Sequence, residues 1–68
     1  MGLRLTLDEL NAEATHSQKK AIARLTGYGE VAISEAELWW RGVLCIVLDN
    51  NRRSTFTITP RGKTEEIK

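Results

Sequence analysis

The clearest pattern of apolar and polar positions lies in residues 42–59. Val43, Leu44, Cys45, Ile46, Val47 and Leu48 are apolar without interruption, the signature of a strand covered on both faces or lying mid-sheet. Residues 54–59 alternate instead, with Phe56 and Ile58 on one side and Thr55, Thr57 and Thr59 on the other, as in a strand with one wet face. Between the runs stand Asp49, Asn50, Asn51, Arg52 and Arg53, so the stretch reads as a β-hairpin, and Pro60 ends its second strand. A two-residue Asn50-Asn51 turn would pair Cys45 with Phe56 and set Leu44, Ile46 and Leu48 opposite the threonines. A three- or five-residue loop shifts the pairing by one and gathers Leu44, Ile46, Leu48, Phe56 and Ile58 on one face. The longer loop is the preferred reading, because it concentrates the large side chains and leaves Arg52 and Arg53 to solvent.

Upstream, Leu3, Leu5 and Leu7 alternate with Arg4 and Thr6, a short strand pattern. Thr6 followed by Glu9 forms a capping box. From Asp8 to Thr26 there is no Gly or Pro, and Leu10, Ala14, Ala21 and Leu25 share a stripe, with Ser17 or Gln18 filling its gap. This predicts one helix of about five turns ending at Gly27, with a second N-cap available at Thr15–Ser17 if it breaks. Gly27-Tyr28-Gly29 is a turn, residues 30–34 a short strand, and residues 37–48 a strand bent at Gly42. Alternation along that bent strand sends Trp39 and Trp40 opposite ways, one beneath the helix and one onto the open face. The predicted order is β-α-β-β-β, an α+β fold with a single mostly antiparallel sheet and one helix packed on one face. Residues 1–60 form one compact domain, and residues 61–68 a polar, frayed C-terminal tail.

Composition adds bounds. Sixty-eight residues, 41% apolar and 28% charged, fit a small folded domain near the lower size for an independent core. A net charge of +1 provides no global pull toward nucleic acid or acidic membrane, so any basic contact must be a local patch. The single cysteine, Cys45, excludes an internal disulfide and fits a reducing cytoplasm. The first residues lack the apolar core of a signal peptide, and no apolar run is long enough to span a bilayer.

Candidate chemistry is sparse. The one histidine, His16, has no second histidine or cysteine pair to complete a metal site, and reads as a solvated helix residue. No base stands at a recognisable spacing from Cys45, whose apolar run makes it a small buried hydrophobe. The expectation is therefore no catalytic residue, cofactor or metal, and no evident small-molecule substrate.

Two surface features remain. One helix covers only one sheet face, so Val43, Cys45 and Val47 are left short of cover, beside the tryptophans. The predicted protein interface is Trp39, Trp40, Arg41, Val43 and Val47. The alternative is a nucleic-acid-binding or regulatory surface using Lys19, Lys20 and Arg24 on the helix with Arg52 and Arg53 at the hairpin tip. In general type the chain resembles the small accessory proteins of phages and other mobile elements, which implies a non-enzymatic inhibitor or adaptor with a protein partner or a second copy of itself.

Overall fold

The computed structural model describes residues 2–67. The chain runs through β1 (Leu3–Arg4), α1 (Leu7–Glu13), α2 (His16–Leu25), β2 (Ile33–Leu38), a 3-10 turn (Trp40–Gly42), β3 (Leu44–Leu48), β4 (Thr55–Ile58) and β5 (Thr64–Ile67). The five strands form one antiparallel sheet in the order β1-β2-β3-β4-β5. This is an α+β arrangement with two helices rather than the one predicted.

The helix breaks at Ala14, whose extended backbone (ψ 138°) ends α1. Both helices open with a complete capping box, Thr6 with Glu9 and Thr15 with Gln18, so the second cap is used and α2 starts afresh. The apolar stripe survives the break. Leu10, Ala14 and Ala21 are buried with Leu5 against Ala36, Leu44, Ile46, Leu48 and Ile58, so both helices cover the same sheet face. At the end of α2, Tyr28 N–H bonds to Ala23 O (2.7 Å) and Gly27 N–H to Arg24 O (3.2 Å). That pair is a Schellman closure, with Gly27 at φ 62° as its left-handed residue.

The β3–β4 hairpin adopts the longer loop. Leu44 pairs with Ile58 and Ile46 with Phe56, and Leu48 N–H bonds to Ser54 O, leaving residues 49–53 as the loop. Leu44, Ile46 and Ile58 have no exposed surface. Asn50 Oδ1 accepts from the backbone N–H of Arg52 (3.0 Å) and Ser54 (3.2 Å), so the loop is closed by an Asn side chain rather than by an Asn-Asn turn.

Two further expectations are corrected. The bent strand over residues 37–48 does not form: β2 ends at Leu38, and the chain reverses through Trp39–Val43 into β3. The register slips between Ile33 and Glu35, a bulge that lets Ile33 and Ala36 both contribute to the core although they are three apart. The stretch predicted as a polar tail carries β5, which pairs with β4 through Thr55–Ile67, Phe56–Glu66, Thr57–Glu65 and Ile58–Thr64. All four residues of β5 are exposed. An edge strand bonded on one side needs no buried side chain, which is why its composition resembles a tail.

Candidate functional site

The site is the sheet face that the helices leave uncovered, together with the turns at one end of it. In the strand register Glu37, Cys45, Thr57 and Glu65 form one row across this face, and Glu35, Val47, Thr55 and Ile67 the next. Val43 and Val47 are half-buried, whereas Cys45 is already buried within the single chain, at 8% exposure. The expected shortage of cover on the middle strand thus applies to the two valines and not to the thiol. Burial foremost, then the charges of Glu37 and Glu35, push the Cys45 thiol above its ordinary value, so it stays protonated and is a poor nucleophile.

At the turn end, a tight reversal is closed by Trp39 N–H to Val43 O (2.7 Å) and Val43 N–H to Trp40 O (3.3 Å). Arg41 (φ 60°) and Gly42 (φ 76°) are both left-handed, as a two-residue mirror-image hairpin turn requires. Glycine meets that demand without strain; arginine does so at a cost of about 1 kcal/mol. The turn throws Trp40 outward, 78% exposed. Trp39 lies half-buried against Gly2, too close for a Cβ there, and donates its Nε1–H to Glu37 Oε1 (2.9 Å). Neither tryptophan joins the core, which corrects the expectation that one packs beneath a helix. Because β2 stops at Leu38, strand alternation does not govern Trp39 and Trp40.

Trp39, Trp40, Arg41 and Val43 together line a concavity of about 420 Å³. Val47, the fifth residue predicted for this interface, lies on the same face farther along β3 and does not line it.

The turn end is braced from behind by α2. Gln18 is buried, at 1% exposure, and donates from Nε2 to Gly42 O (2.7 Å) and Ile58 O (3.0 Å) while its Oε1 accepts from Thr15 N–H (2.9 Å). Thr15 Oγ1 donates to Pro60 O (2.8 Å). A Cβ on Gly42 would stand 3.2 Å from Pro60 Cγ, and one on Gly62 would stand 3.0 Å from Ser17 O. The β2–β3 turn, the β4–β5 turn and the first turn of α2 therefore touch one another. Sequence reasoning placed Gln18 only as a filler of the helical stripe. Its signal was a polar side chain at a core-facing position, which must find partners inside.

The basic residues divide between layers. Lys19, Lys20 and Arg24 are exposed on α2, away from buried Gln18 and Ala21. Arg53 instead reaches Glu35 (3.5 Å) on the uncovered face, where Glu35 also pairs with Arg4, while Arg52 is exposed in the loop. The two predicted basic groups are thus not brought together. Beside Lys20, Ala23 and Arg24 the structure adds Tyr28, left-handed at φ 57° and 81% exposed.

Among the described residues no cluster of three or more His, Cys, Asp or Glu side chains is placed to hold a metal ion. No helix among them is long and apolar enough to cross a membrane. No protein-family model, curated protein or solved structure matches the chain.

Proposed function

We propose that this protein is a non-enzymatic protein-binding module, an inhibitor or adaptor, that works through the uncovered sheet face and its turn end. The observation that carries the reading is the concavity formed by Trp39, Trp40, Arg41 and Val43, with Trp40 standing in solvent. An exposed indole beside an arginine is the composition of an interface anchor, since both residue types contribute disproportionately to binding when desolvated. A reducing cytoplasm fits the single unpaired, protonated thiol. The general type remains that of a mobile-element accessory protein.

The test is affinity capture from a lysate of the source cell with wild-type and Trp40→Ser proteins, each with and without nuclease. A specific protein retained after nuclease and lost with Trp40→Ser supports the reading. Retention that vanishes with nuclease and ignores the substitution overturns it. A second copy of the chain is the other occupant this face could take, and light scattering across a range of concentrations detects it.

One observation favours nucleic acid as a second reading. α2 carries Lys19, Lys20 and Arg24 and no acidic residue, with exposed Tyr28 beside Lys20 and Arg24 as a surface on which a base could stack. Three phosphate contacts there would give a log–log salt slope of about −2 with single strands. A flat salt response removes this reading.

A further inference from the structure

The β4–β5 turn packs beside the β2–β3 turn that lines the concavity, where a Cβ on Gly42 would stand 3.2 Å from Pro60 Cγ. Residues 39–43 and 59–63 contain Arg41, Arg61 and Lys63 and no acidic residue. Arg41, Arg61 and Lys63 are exposed, and among the described residues none of them takes part in an ion pair. The carboxylates flanking the turns on this face are Glu37, which accepts from the Trp39 indole N–H, and exposed Glu65, two residues beyond Lys63. Arg41 occupies a left-handed position that Gly or Asn would fill with less strain, and its charge has no partner inside the described structure. The Gln18 and Thr15 hydrogen bonds fix the backbone of both turns to α2, so the positions from which the three cations and the indoles project are set before anything binds.

We propose that the paired turns bind an acidic segment of a partner protein, seating one bulky apolar side chain against Trp39, Trp40 and Val43 while neighbouring carboxylates meet Arg41, Arg61 and Lys63. This rests on the protein-binding reading and adds the chemistry of the partner. Apolar contact supplies the seat, and charge-assisted hydrogen bonds from the two guanidinium groups select carboxylates over other neighbours.

The experiment is selection of a displayed library of random twelve-residue peptides on the immobilised protein, followed by titration of synthetic winners. The chain has two tryptophans and both line this site, so indole emission reads occupancy there directly. The expected winners place Asp or Glu beside Trp, Phe or Leu, shift the emission to the blue, and bind Arg41→Asn and Arg61→Asn about tenfold more weakly. Asn suits the left-handed position, so Arg41→Asn keeps the fold, and circular dichroism verifies this. Winners that are neutral or basic, or that bind Arg41→Asn as tightly as wild type, overturn the acidic chemistry and leave the protein-binding reading standing. Failure to enrich any peptide overturns both, whether or not a twelve-residue oligothymidylate moves the indole emission.

Discussion

At the residue scale, Arg41 and Cys45 sit in places whose physics gives measurable signatures. Arg41 holds a left-handed backbone that costs a side chain with a Cβ. Replacing it by Gly or Asn should raise stability by about 0.5–1 kcal/mol, read as a higher urea midpoint at unchanged slope. Lower stability would mean that the guanidinium holds the turn together. Cys45 gives a pH signature. The unfolded chain loses the thiol proton near pH 9.0, whereas the folded chain retains it to higher pH. The folded state therefore binds more protons in that window, so this stabilisation is complete below pH 9.0 and is lost as pH rises through the raised folded value. Urea melts at increasing alkalinity should show the decline, and Cys45→Ala should remove its share. That Cys45 is a small buried hydrophobe was readable from its apolar neighbours. Its burial on the face without helices was not, because that depends on flanking strands set by register.

At the element scale, the break between α1 and α2 and the brace from Gln18 belong together. The second capping box at Thr15 places Gln18 at the third helical position, with its amide turned toward the sheet. Gln18→Met keeps the volume but leaves the part-buried carbonyl of Gly42 and the buried one of Ile58 without that donor. A loss of about 2–4 kcal/mol is expected in chemical denaturation, against about 1–2 kcal/mol for Thr15→Ala, which removes the cap and the bond to Pro60 O. The first cap was legible as Thr-x-x-Glu, and the second only as an available N-cap within Thr15–Ser17. The break itself was masked because Leu10, Ala14, Gln18 and Ala21 keep helical spacing through it. The β3–β4 register was legible because one alignment gathers every large apolar side chain. β2 was misplaced because its bulge sets Ile33 and Ala36, three residues apart, toward the same core. The candidate interface was legible in its residue types. Its geometry was not, since a tight turn, not strand alternation, orients Trp39 and Trp40.

At the scale of the whole molecule, two helices against one face of a five-stranded sheet leave a thin core. A 68-residue domain has a total stability of about 3–10 kcal/mol. Ile46→Ala, at a fully buried central position, should cost about 3 kcal/mol, read as a lower urea midpoint by circular dichroism. A shift below 1 kcal/mol would mean that the core collapses around the gap.

β5 has a consequence that its exposed side chains conceal. Its inner edge takes the backbone bonds of β4, whose sequence Thr-Phe-Thr-Ile carries no charge, while Glu65 and Glu66 stand exposed on opposite faces of the edge strand. The strand thus works as a gatekeeper, placing like charges where another chain would have to dock edge to edge. A chain ending at Lys63 would bare an uncharged β-prone ribbon, and should form thioflavin-positive aggregates under conditions where the full chain stays dispersed. A truncated chain that remains dispersed would show that the strand guards nothing.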